Sequence, residues 1–173
     1  NGTHLMVLST NQYLYKFLPD GTALGLQWST RGEDLEPKGL CWDGTHYWVV
    51  GSISNTVYQY DSLGVYTSVN FSVAAETTAP ASIAWDGTNF LLVTDEEEVH
   101  IYGGDGVYSG TNFDISGEVT NYYHGITFDG THIWINSWTQ SAAYSYTGFT
   151  PYVGLPTAET DISSGYPKYL KIK

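Results

Sequence analysis

Positive charge is scarce in this 173-residue chain: six Lys and Arg stand against 18 Asp and Glu, for a formal net charge of −12. A chain so acidic gains nothing by displacing counterions from phosphates. The expectation is therefore no nucleic-acid partner and no insertion into or adhesion to an anionic membrane. Cysteine is nearly absent too. A single Cys41 excludes an intrachain disulfide, and its place within a short apolar strand reads as a packed thiol rather than a reactive one. No apolar run reaches the roughly 18 residues that a membrane-spanning helix needs. Helical periodicity is missing throughout. Neither an initiating Met nor a leader opens the sequence, so a processed chain or a module of a longer one is expected. No phosphate-cradling glycine loop, metal-ligand spacing or nucleophile–base–acid set appears, and the expectation drawn from that lack is a protein that is not an enzyme.

What the chain has in quantity is turn and strand residues: 19 Gly, 15 Tyr and 6 Trp. They recur in order. Trp42-Asp43-Gly44-Thr45 returns as Trp85-Asp86-Gly87-Thr88 and as Phe128-Asp129-Gly130-Thr131, at intervals of 43 residues. A fixed period of that size marks a repeat architecture. Within residues 37–79 the order is a short strand A ending at Trp42, a turn at Asp43-Gly44, strand B at 46–50, a polar loop, strand C at 56–60, a glycine turn and strand D at 65–73. Asp-Gly is read as the pair that supplies positive φ to a two-residue hairpin. Each repeat is thus four antiparallel strands with apolar residues on both faces, and a lone sheet could not hide both. Radial stacking does, which predicts an all-β, four-bladed β-propeller with strand A innermost.

The two ends complete each other. Residues 167–173 supply only a strand A, whereas Asn1-Gly2-Thr3 enters at the A–B turn and leads into strands B, C and D. The expected blades are 167–173 plus 1–36, 37–79, 80–122 and 123–166, in one domain, with the carboxyl-terminal strand pairing against the amino-terminal strands to close the ring.

The run Pro80-Ala81-Ser82-Ile83-Ala84-Trp85-Asp86-Gly87-Thr88, continued by Val99-His100-Ile101-Tyr102 and Gly106, resembles the NHL and YWTD-type propeller repeats. The WDGT wording is similar to repeats of phage tail-fibre and bacterial surface proteins. The resemblance implies the propeller fold and an extracellular or virion-surface location. It says little about chemistry, because one fold hosts many functions.

Strand alternation places the A–B and C–D turns on one face and the B–C loops and D–A linkers on the other. The second face has the long, variable segments (30–36, 74–79, 116–122 and 156–166), and variable loops on a rigid scaffold are where binding concentrates. Trp138 stands out there, since its counterparts are Thr10, Ser52 and Asp95. A flat ring beside Gln140 is how sugars are held, and Tyr122, Tyr123 and Tyr166 could extend such a surface; the alternative reading is that Trp138 folds back over the blade edge. Just before strand A lie Lys38, His124 and Lys168, read either as a small cationic pocket for an anionic group or as partners of the linker glutamates. Glu33, Glu76, Glu118 and Glu159 fall in register after strand D. They read as a carboxylate ring for a cation or as a solvated position of the repeat. No cofactor is expected beyond, at most, Ca²⁺ or another ion at the central channel. His4, His46 and His132 follow the Gly-Thr turns on the opposite face and read as turn-stabilising. The resulting expectation is a non-enzymatic recognition module, partnered by a glycan or surface polymer. The alternative is an assembly propeller that self-associates or decorates a parent fibre, capsid or surface layer.

Overall fold

A computed structural model describes residues 3–117, 124–137, 140–147 and 159–161, with the side chains of 26, 27, 124, 147 and 159–161 left aside. The described elements are all strands. β1 (Leu5–Ser9), β2 (Tyr13–Phe17) and β3 (Ala23–Ser29) form the first sheet. β4 (Pro37–Trp42), β5 (Tyr47–Gly51), β6 (Thr56–Tyr60) and β7 (Tyr66–Ser72) form the second. The third holds β8 (Pro80–Trp85), β9 (Asn89–Thr94), β10 (Glu98–Gly103) and β11 (Tyr108–Asp114). The fourth holds β12 (His124–Phe128), β13 (His132–Ser137), β14 (Ala142–Thr147) and β15 (Glu159–Asp161). Every pairing is antiparallel between chain neighbours, and the four sheets stand in a ring as a four-bladed β-propeller.

The double apolar alternation explains the stacking. In β5 all five residues are buried: Tyr47 and Val49 face the first blade, while Trp48 and Val50 face the third. β9 repeats the arrangement, with Phe90 and Leu92 on one side and Leu91 and Val93 on the other. Among the described residues the core is therefore three seams between consecutive blades. The second seam is aromatic, with Trp48 against Phe90 at 4.8 Å and Phe71 against Tyr102 at 5.4 Å between ring centres. The third is mostly aliphatic, built from side chains such as Leu91, Val93, Ile133 and Ile135. The inner strands approach closely: a Cβ on Gly39 would lie 2.6 Å from the Ser82 Cα. At the C–D turns, Gly64 and Gly106 combine positive φ (82° and 79°) with an aromatic ring from the preceding blade, Trp28 and Phe71 respectively, pressed onto the space a side chain would need.

Some expectations need amending. The turn at Asp43-Gly44 centres one residue later: Asp43 has no positive φ, whereas Gly44, Gly87 and Gly130 do, at 104°, 103° and 96°. Glu159 and Asp161 are not linker residues. They sit in β15, where Glu159 pairs with Tyr144 and Asp161 with Ala142, because the outer edge of β14 accepts a strand there. The expected closing strand, 167–173, lies outside the described residues. Among those residues the first sheet has three strands, and Leu5 and Val7 on β1 are exposed while the alternating Met6 and Leu8 pack into the first seam.

Candidate binding site at the second and third blades

On the short-turn face, each aspartate of the repeat organises its own turn. Asp43 Oδ1 accepts from the Thr45 and His46 N–H groups at 2.6 and 2.7 Å, and Oδ2 accepts from the Trp48 indole at 2.6 Å. Asp129 does the same with Thr131, His132 and Trp134. Burial works to raise the Asp43 pKa, but these three donors and the nearby His46 outweigh it, and the carboxyl is held below its usual value. His46 and His132 lie 3.8 and 3.5 Å from the same aspartates. They belong to their turns, as the spacing suggested.

The opposite face is tied together by acidic side chains. Asp34, in the linker that enters the second blade, is buried. Its two oxygens accept from the Glu36 N–H at 2.7 Å and the Ser54 N–H at 2.8 Å. In the third blade the tie is rebuilt from different residues: Thr77 and Thr78 donate to Glu96 at 2.7 and 3.1 Å. In both blades, linker and B–C loop are one bonded unit. Lys38 lies 3.5 Å from Glu36 of the linker before it. Gln140 is half-buried, with its N–H donating to Ser137 Oγ at 3.4 Å. Trp138, Tyr122, Tyr123, Tyr166 and Lys168 lie outside the described residues, and His124 is placed in β12 by its backbone alone.

The register of glutamates has a structural meaning that was not visible along the chain. Glu33 accepts from the Tyr60 hydroxyl at 3.0 Å, and Glu76 from the Tyr102 hydroxyl at 3.1 Å. Each linker carboxylate thus binds a buried tyrosine of the blade it leads into. Burial first, and the carboxylate second, push both phenol pKa values up. Among the described residues no three His, Cys, Asp or Glu side chains gather as a metal site. Glu118 lies outside those residues, and Glu159 is described only by its backbone.

At the third blade this pair is enlarged. Tyr108 packs 5.4 Å from the Tyr102 ring and 5.8 Å from the His100 ring. His100 is 3% exposed, and its Nε2 lies 3.1 Å from Glu98 Oε2. Asn112 donates to the other Glu98 oxygen at 3.1 Å. Burial first, then the charges of Glu76 and Glu98, raise the Tyr108 pKa. Glu98, His100 and Tyr108 thus form a contiguous set whose tyrosine packs on the Tyr102 ring that holds Glu76. The sequence carried a signal for it: in the second blade the matching strand positions are Thr56 and Tyr58, so Glu98 and His100 break the repeat together.

No protein-family model matches the chain, and no curated protein matches it. Solved structures do. A glutaminyl cyclase from Myxococcus xanthus superposes with a TM-score of 0.70 at 12% identity, over 93% of this chain and 67% of that one. The likeness is one of fold. A streptogramin B lyase gives 0.57 at 16% identity, over 84% of this chain and 48% of that one. Virginiamycin B lyase from Staphylococcus aureus gives 0.59 at 14%, over 86% and 50%. The chain spans about half the length of these two lyases. Such matches carry the propeller and no particular repeat type, so the NHL and YWTD resemblance holds at the level of the fold. They also overturn the expectation that the chain is not an enzyme, because proteins of this same fold are lyases and cyclases. The physical reason is that residues contributed by separate blades leave no contiguous motif, so a missing motif excludes nothing. At these identities no activity passes to this chain.

Proposed function

We propose that this propeller is a recognition module, at the cell exterior or on a virion, whose face of B–C loops and D–A linkers holds a glycan or surface polymer. One observation supports it above others: Asp34 with Ser54, and Thr77 and Thr78 with Glu96, lock linker to loop in successive blades. A surface ordered before the ligand arrives loses less freedom on binding. In sequence the fourth repeat carries Trp138 and Gln140 between its second and third strands, an aromatic residue near an amide, the pairing that suits the apolar face and hydroxyl edge of a sugar. A net charge of −12 argues for a neutral or cationic polymer rather than a polyanion.

A glycan array followed by titration with the best sugar tests the reading. Binding is expected, and Trp138→Ala should weaken it at least tenfold with the melting temperature unchanged. A folded protein that binds no glycan, or that binds equally well without the indole, overturns it. Ordered self-assembly in that same preparation would favour an assembly subunit instead.

A further inference from the structure

We propose that the inner edge of β1 is a strand-acceptor site, filled by residues 167–172 of the same molecule in a single register. Tyr169 lies opposite Leu8, Leu170 opposite Val7, Lys171 opposite Met6 and Ile172 opposite Leu5 in that register. The site stands out by contrast with the other blades. β5, β9 and β13 pair on their inner side with β4, β8 and β12. Among the described residues β1 pairs with β2 alone. Leu5 and Val7 hold the repeat positions of Tyr47 and Val49, Phe90 and Leu92, and Ile133 and Ile135. The residues of those three pairs are 0–6% exposed, whereas Leu5 is 51% and Val7 48% exposed. A free edge and an uncovered apolar face on one strand suit a partner strand that brings apolar side chains of its own.

Three observations select the occupant. Register comes first: Leu40 opposes Val49 and Ile83 opposes Leu92, and Leu170 and Val7 are the residues at those places. Leu40 packs in the seam of Tyr47 and Val49, and Ile83 in the seam of Phe90 and Leu92. Leu170 would likewise widen the apolar face of Leu5 and Val7. Reach comes second. β15 ends at Asp161, and Pro167 matches the Pro37 and Pro80 that open β4 and β8. The six steps from Asp161 to Pro167 span up to about 20 Å. Crossing a four-stranded sheet from outer to inner strand takes about 14 Å, so the segment reaches β1 of its own molecule. Charge is third. Lys168, Lys171 and Lys173 are three of the six Lys and Arg, which draws this segment onto an otherwise acidic body.

Cysteine cross-linking in the full-length chain tests the pairing. Opposed residues of antiparallel strands have Cα atoms about 4.5–5.5 Å apart, within disulfide reach. Cys41 is first replaced by alanine, the residue at that place in the third blade. Val7→Cys with Leu170→Cys should then oxidise to a disulfide within one molecule, read by peptide mass mapping. Leu8→Cys with Tyr169→Cys is the second in-register pair, should the first disturb folding. Val7→Cys with Tyr169→Cys is one residue out of register, on opposite faces, and should link at least tenfold more slowly. In the unmodified chain, amide exchange in β1 should be as slow as in β5. Links between molecules would make the occupant a second copy and overturn the proposal. Equal linking of all pairs, or fast exchange at every other β1 amide, overturns it as well.

Discussion

The second and third blades solve the same structural problems with different residues. Asp43 takes its third donor from the Trp48 indole. The third blade has Leu91 at that position, and the missing bond to Asp86 Oδ2 comes instead from the Asn89 amide at 3.1 Å, where the second blade has His46. Asp34 joins linker to loop in one blade, and Thr77 with Glu96 in the next. Both keep the carboxylate-to-tyrosine bond, Glu33 to Tyr60 and Glu76 to Tyr102. What the repeat holds constant is thus the bond rather than the residue. At the outer edge the exchange continues: Asn70 donates to the Tyr66 hydroxyl in the second blade, whereas Asn112 at the same place donates to Glu98, which lies 3.1 Å from the buried His100.

The largest expected effect lies on the seam the two blades share. Phe90 is 1% exposed and touches Trp48, Phe71 and Trp85, so Phe90→Ala should cost about 3–5 kcal/mol in urea unfolding. A loss below about 1 kcal/mol would mean the seam is not packed as described.

Next come the two phenols. Tyr60→Phe and Tyr102→Phe should each cost about 1.5–3 kcal/mol at neutral pH, the range for hydrogen bonds to charged groups, and by similar amounts if the blades are equivalent. Both phenol pKa values are raised in the fold. Their contribution is therefore complete below the unfolded tyrosine value of about 10 and lost as pH climbs above it. Unfolding measured from pH 8 to 11 should show a shallower alkaline decline in the double Phe variant. An unchanged slope would break the assignment.

The smallest effect is at the turn. The Asp43 carboxyl is depressed, so its contribution is present above about pH 3.9 and disappears as pH falls below that. Asp43→Asn should reduce the difference in stability between pH 7 and pH 3. If the difference stays the same, the indole and amide donors are not acting on a charged oxygen.

The 43-residue period and the two-faced strands made the propeller legible before any coordinates, because a repeat states its fold several times over. Bonds between blades were harder to read. Glu33 and Glu76 were visibly in register, yet their partners lie 27 and 26 residues away, and only the stacking of sheets brings them together. The Asp-Gly turn was misplaced by one residue because the aspartate acts through its side chain rather than its backbone angle. Glu159 was misassigned because the fourth repeat reaches its outer strand later than the others. His100 and Glu98 would have emerged from comparing the third strands position by position. The loop-face aromatics, Trp138 above all, depend on parts of the chain that the repeat does not dictate.

At Gly39 the neighbouring backbone of Ser82 occupies the place of a methyl group. The wedge between those two blades is thus limited by main chain meeting main chain, with nothing left to compress. An alanine there would prise the inner strands apart and enlarge the circle they trace. For a ring built of repeated units, one hydrogen atom in place of a methyl helps to set how tightly neighbours close on the axis.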